Sequence, residues 1–407
     1  MKQLLFILPF ISASAFAQGF DVELTPDKVL NGNGQNMDTA DFFNADPATE
    51  SMLFVTAKSN DIIEVWKYPY DEQFTTLNIS GTPNGVAVDG NRLYVGIYGS
   101  NPRVEVYELP DLDYVQTIGA GTIANGETNL DILHLPNGDI RIYVSDDTPR
   151  VLGFNALTGQ LEAIIMLSPY FQSVETVLCD DYHQIIFVPD EDGVTGVHYF
   201  SPYGSHYGSF GAGDFQSDAG GITLYDAGYG RGYVIVADQK NPLSEFEFYD
   251  RQTFDHVGVL KLTGVNNTDG IVLTQQSSGL YPSGVFAAID DDATTALISW
   301  RTVMDETGIA TDVKEGNDAP PGVVLTQNYP NPFNPSTTIE YSLPEAGHAK
   351  LVVYNLRGQE VTTIVDEVQN AGTYRVTFDG SGLTSGVYFY RMETGGLVSS
   401  KKIVLIK

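Results

Sequence analysis

A pair of short strands running into an aromatic residue recurs six times between residues 53 and 300. The units are LFVTAKSNDIIEVWKYP from Leu53, LYVGIYGSNPRVEVYELP from Leu93, IYVSDDTPRVLGFNALTG from Ile142, IIFVPDEDGVTGVHYFSPYG from Ile185, YVIVADQKNPLSEFEFYDRQT from Tyr233 and VFAAIDDDATTALISW from Val285. Their starts lie 40, 49, 43, 48 and 52 residues apart. A period of roughly 40–50 residues with several short strands in each is the mark of β-propeller blades. Two β-sandwiches would not keep such a spacing. The expectation is an all-β chain whose main domain is a six-bladed β-propeller.

Each pair is preceded by a shorter apolar strand: ADFFN at Ala40, NGVAV at Asn84, DILHL at Asp131, ETVLC at Glu175, GGITL at Gly220 and DGIVL at Asp269. In a propeller the first strand of each blade lines the central channel. The opening residues are then Asp41, Asn84, Asp131, Glu175, Gly220 and Asp269, four of them acids, and in a common register they would face one end of that channel. The turns of the fourth and sixth units add two acidic corners, Asp190, Glu191 and Asp192, and Asp290, Asp291 and Asp292.

Fifty-two acidic against 21 basic residues give a net charge of −31. Such a surface repels nucleic acid and anionic membrane and accepts divalent cations, so no nucleic-acid partner is expected. Residues 1–17 have Lys2, an apolar run and the small-x-small Ala15-Phe16-Ala17 of a signal peptide. No later stretch has the roughly 18 apolar residues of a transmembrane helix. One cysteine, Cys179, in the apolar run VLC, allows no internal disulfide and reads as inert core. Periodicity fades near residue 301, and Pro320-Pro321 lies in a polar stretch. Strand patterns then resume, with Gly358, Gly372, Gly386 and Gly395 at turns. The domains expected are a signal peptide at 1–17, the propeller at 18–302, a linker at 303–324 and a small Ig-like β-sandwich at 325–407.

The tail motifs NYPNPFNPSTTIEYSLP, VYNLRGQEV, GVYFYRM and the basic KKIVLIK end resemble the C-terminal sorting domain of the type IX secretion system. That resemblance implies a partner, the type IX machinery engaging residues 325–407, and a secreted or outer-membrane-surface location in a diderm bacterium. The runs DDYHQIIFVPDEDGV, SDAGGITLYDAGYGRGYVIVADQKNPLSEFEFYDR, NTDGIVL, YPSGVFAAIDD and ISW are similar, in order, to segments of β-propeller phytases. Coverage is good over 172–300 and weaker before it. Position by position, the resemblance implies that Glu175, Glu191, Asp218 and Asp269 match calcium or catalytic acids, and Lys58 a phosphate-binding lysine. The departures are Gly220 for a glutamate, Ala87 for an aspartate, and Asp146 and Asp147 near a lysine position. The second repeat lacks a clear substrate arginine unless Arg103 reaches in.

Phytate carries many phosphates, which a carboxylate-lined site repels unless cations intervene. Calcium takes six to eight oxygen ligands, bridges phosphate oxygens and binds an attacking water. Asp41, Asp131, Glu175, Asp190, Asp192 and Asp218 are the candidate Ca2+ ligands, and Glu191, Lys58 and Asp269 the candidate catalytic groups. The histidines lack HExxH spacing, and no GxSxG elbow is present. Two functions remain. One is a secreted calcium-dependent phosphohydrolase acting on phytate or a related phosphomonoester. The other is a phytase-like propeller with little or no turnover, serving as an extracellular binding module.

Overall fold

The computed structural model describes residues 19–309 and 324–407, apart from residues 33, 136, 171–173, 175, 192–194, 229, 292, 326–327, 329–332, 344–346, 356–359, 371, 395–396 and 406. The signal-peptide segment 1–17 and most of the expected linker lie outside the described residues. The chain divides into two compact units, the first running to 310 apart from His134–Asp139, and the second comprising that short stretch and residues 311–407.

The first unit holds six separate sheets. Sheet 1 runs Ala40–Phe43, Met52–Ala57, Ile62–Lys67 and Gln73–Asn78 in spatial order. Sheets 2 to 5 repeat that meander, opening with Thr82–Asp89, Leu130–His134, Leu178–Asp180 and Ala219–Gly228. The gradient of burial across a sheet explains the sequence pattern. Met52–Ala57 is buried throughout, because both faces of a second strand are covered, whereas the outer Gln73–Asn78 is largely exposed.

Apolar side chains fill the spaces between consecutive sheets. Phe54, Ile63, Val86 and Leu93 join sheets 1 and 2. Tyr94, Val104, Ile142 and Phe154 join sheets 2 and 3, and Phe187, Phe210, Ile222 and Tyr249 join sheets 4 and 5. Sheet 6 packs on sheet 5 through Phe246 and Phe286, and back on sheet 1 through Leu53, Trp66 and Leu297. Each fully buried side chain of this size contributes about 1.5–3 kcal/mol. The first strands of all six sheets border one cavity of about 260 Å³.

Sheet 6 is completed from the other end of the unit. Its strands Ile271–Thr274, Val285–Asp290 and Thr294–Ser299 are joined at the outer edge by Lys28–Leu30, antiparallel to the last of them. Just upstream, Phe20–Leu24 adds a fifth, parallel strand to sheet 5. The sequence carried a sign of this: the sixth unit stops at Trp300 with no fourth strand after it.

Trp300–Thr307, across the expected boundary between propeller and linker at 303, is an α-helix. Trp300, Val303 and Met304 share one face at i, i+3, i+4 spacing and are buried with Ile309 in the core between sheets 5 and 6. Gly308, at φ 68°, ends the helix in the left-handed conformation. Loss of strand periodicity at 301 marked a change of structure, not its end.

The second unit contains a three-stranded sheet, Val324–Leu325, Ser336–Leu343 and Gly372–Asp379. Its four-stranded sheet runs Glu360–Gln369, Gly347–Asn355, Gly386–Thr394 and Leu397–Leu405. Their shared core includes Tyr341, Leu351, Tyr390 and Ile403.

Truncation tests the boundary. A chain ending at 310 is expected to keep the first unit's melting temperature. Trp300→Ala should remove about 3–5 kcal/mol, a drop of about 10 °C. An unchanged melting temperature for that variant would show that the helix is not part of the core.

Candidate functional site at the acidic end of the sheet ring

In an antiparallel meander, the turn between strands two and three and the connection into strand one lie at the same end. Neighbouring sheets are joined through these loops. The Ala219 N–H donates to the Glu191 carbonyl (3.2 Å), Asn267 N–H to Lys240 (3.0 Å) and Asp291 N–H to Asn266 (2.9 Å). This end carries Lys58 and most of the candidate acids.

Lys58 sits in the second turn of sheet 1, and its side chain is only 10% exposed. Its ammonium contacts Asp38 Oδ1 at 2.7 Å and Glu127 Oε1 and Oε2 at 2.9 and 3.0 Å. Asp38 opens sheet 1, and Glu127 lies ahead of sheet 3. Asn84, opening sheet 2, donates from Nδ2 to Asp38 Oδ2 and to Glu127 Oε2 (3.3 Å). Burial disfavours the charge on Lys58, but Asp38 and Glu127 outweigh it and hold the ammonium protonated well above its ordinary range. The fully buried Asn84 Oδ1 has no hydrogen-bond partner among the described residues. An unpaired buried carbonyl oxygen beside a carboxylate is costly and suits a cation or a water.

Three of the six expected opening residues, Asp41, Asp131 and Asp269, border the cavity, but not in one register. The Thr39, Asn129 and Gly270 carbonyls accept from Thr56, Ser145 and Ile289 in equivalent fashion. The counterpart of Asp269 in sheet 1 is therefore Asp38, and Asp41 and Asp131 lie three residues farther along their strands. They tie sheets together. Asp41 accepts from its neighbour Phe42 N–H (2.7 Å) and from Val88 N–H of sheet 2 (2.6 Å). Asp131 accepts from Ile132 N–H (2.8 Å) and from Cys179 N–H of sheet 4 (2.6 Å). Burial pushes both carboxyls up to about 7 against these four donors, and at Asp131 the Asp41 charge adds to it. Cys179 is a buried free thiol raised further by the same burial, as expected of inert core.

Asp190 is buried and turned inward, accepting from Thr195 N–H (2.9 Å) and Oγ1 (2.6 Å). Glu191 is half-buried and Asp218 exposed, next to the start of sheet 5. Asp269 accepts from Gln239 Nε2 at 2.9 Å. A Cβ at Gly220 would lie 2.3 Å from that nitrogen, so Gln239 occupies the room a side chain at 220 would need. Asp290 holds a turn through Asn266 N–H and Nδ2 (2.9 and 2.7 Å). Glu175, Asp192 and Asp292 lie outside the described residues. Arg103 stands at this end of sheet 2, just after its second turn, but its guanidinium is engaged by Glu105 and by the Ser80 and Asn101 carbonyls. Asp146 is buried against Arg150 (3.0 Å) and Ala124 N–H, whereas Asp147 is exposed and accepts from Glu127 N–H (2.9 Å).

Asp238, Glu245 and Glu247 present oxygens within 4.8 Å of one another. Their charge is met by Lys240 (2.6 Å to Glu245), Lys261 (3.3 Å to Glu245) and His256 (2.6 Å to Glu247), and Asp238 accepts Gln216 and Ser217 N–H. This trio is an ion-pair network within sheet 5. Sequence reading missed Asp38, Glu127 and Gln239. Asp38 could have been found, as it precedes its strand as Asp269 does. Glu127 carries no local signal.

Residues 169–316 match the family described as Phytase, and residues 327–407 match the family described as Secretion system C-terminal sorting domain. A curated protein named 3-phytase, from Bacillus subtilis (strain 168), is 26% identical over 160 residues, 34% of this chain and 41% of that protein. Phytase-like sequence thus covers sheets 4 to 6 and the helix. The aligned part is about two fifths of that relative's length, and the Lys58 cluster lies outside the matched family region. The tail marks the chain for secretion, to the cell surface or beyond it, through the type IX system. No helix among the described residues is long and apolar enough to cross a membrane.

The raised carboxyls predict a pH dependence. Folded Asp41 and Asp131 keep their protons to about pH 7, while the unfolded chain loses them near 3.8. Their contribution to stability is full below the unfolded value and lost as pH rises through about 7. The denaturation midpoint in EDTA should therefore fall between about pH 4 and pH 7 and level off above that, and Asp41→Asn with Asp131→Asn should flatten that fall. An undiminished slope in the double variant would assign it to other groups.

Proposed function

We propose that the chain is a secreted, calcium-dependent phosphohydrolase of the phytase-like class, releasing phosphate from phytate or a related phosphomonoester. The observation that carries the reading is the match of residues 169–316 to the Phytase family, on a ring of sheets whose acids gather at one end. Six sheets around one cavity, with sheet 6 packed on sheet 1, support a six-bladed propeller over residues 18–302 extended by the helix. The two small sheets of 325–407 support an Ig-like sandwich.

The oxygen set at this end suits a hard cation. Asp38, Asn84 Oδ1, Glu127 and Asp147 surround Lys58 on one side, and Glu191, Asp218 and Asp269 lie at the sheet 4–5–6 side. Bound calcium would cancel carboxylate charge and polarise phosphate oxygens. Glu191, half-buried, would take a proton from an attacking water. Lys58 meets substrate phosphate. Gln239 keeps the Asp269 carboxylate oriented.

Phosphate release from phytate by the full chain should require calcium and stop in EDTA. Glu191→Gln should abolish it, and Lys58→Met should lower kcat/KM by about 10²-fold. Two observations favour the binding-module alternative: Lys58 is paired with two acids, and the Arg103 guanidinium is already engaged by Glu105 and two carbonyls. No calcium-dependent release from phytate or simple phosphomonoesters would decide for that alternative.

A further inference from the structure

The carboxylates at Lys58 are not equivalent. Asp38 is 1% exposed and receives the Asn84 amide, so it is a fixed part of the floor. The Glu127 side chain is 33% exposed and reaches Lys58 from the connection before sheet 3. Both its oxygens lie within 3.0 Å of the ammonium. An ammonium has three donor hydrogens. Asp38 takes one contact and Glu127 two, and Glu127 is the partner on the solvent side.

We propose that Glu127 sets the anion affinity of this site, its carboxylate acting as an internal competitor that holds Lys58 against an incoming phosphate oxygen. This rests on the reading that this end handles phosphate. With Glu127 in place, Lys58, Asp38 and Glu127 sum to one negative charge, and Asp147, on the Glu127 N–H, adds another nearby. A phosphate must displace a bidentate carboxylate and approach a net anion. With Glu127 neutral, Lys58 and Asp38 cancel, and the ammonium has donors to offer. The same carboxylate would select for substrates that arrive with a cation able to draw it away.

The test uses the metal-free full chain titrated with inorganic phosphate, followed by calorimetry and by 31P line broadening, with circular dichroism as a check on folding. Glu127→Gln should bind phosphate at least about tenfold tighter than the parent, the equivalent of about 1.4 kcal/mol. Lys58→Met in the Glu127→Gln background should abolish the gain. Glu127→Ala, which removes the carboxylate by a different route, should reproduce it if Glu127→Gln folds poorly. Lys58 should also be acetylated faster by acetic anhydride in both Glu127 variants. No gain in phosphate affinity in either folded variant, including no binding by any form, overturns the proposal, as does a gain that survives Lys58→Met. Tighter phosphate binding without phosphate release would leave the inference standing and remove the hydrolase reading. Release without that gain would do the reverse.

Discussion

A small four-stranded sheet has two apolar faces and cannot cover either by itself. Here each sheet is covered by the next, and the requirement ends only when the last sheet meets the first. The packing of Leu297 of sheet 6 among Leu53 and Trp66 of sheet 1 meets that condition. Everything at the acidic end depends on it, because Asp38, Asn84 and Glu127 come from the openings of three different sheets and converge on Lys58 only while those sheets hold their places.

Closure also explains how so many carboxylates coexist. At −31 the chain repels itself, and crowding acids at one end adds to that cost. The fold disperses it by three separate means. Lys58 and Lys240 each offset one charge of a pair of acids. Asp41 and Asp131 spend their oxygens on backbone N–H groups of the neighbouring sheets and are pushed toward the neutral form by burial. Glu191 and Asp218 stay within reach of solvent.

The repeat period and the apolar runs were legible because burial on two faces leaves an unbroken trace in sequence, as in Met52–Ala57. The outer strand Lys28–Leu30 was not, since three residues taken from a distant part of the chain carry no period. The helix at Trp300 hid in the loss of strand alternation. Within the site, residue type predicted presence and not purpose. Asp41 and Asp131 looked like ligands, yet their oxygens are engaged by N–H donors that no sequence pattern announces. Arg103 looked able to turn inward, but the Ser80 and Asn101 carbonyls accept its hydrogen bonds. The pairing of Glu127 with Lys58 joins residues 69 positions apart and follows from the ring alone.

The strand pairings that finish sheets 5 and 6 join residues near the start of the unit to residues near its end, Phe20 to Gly258 and Lys28 to Leu297. Contacts that distant in sequence form late, after the intervening chain has been gathered. Because Phe20–Leu24 and Lys28–Leu30 are consecutive, one short segment stitches two sheets at once, and the ring has a single seam. Unfolding that starts there frees both outer edges together, which would offer proteases outside the cell one route into the folded protein.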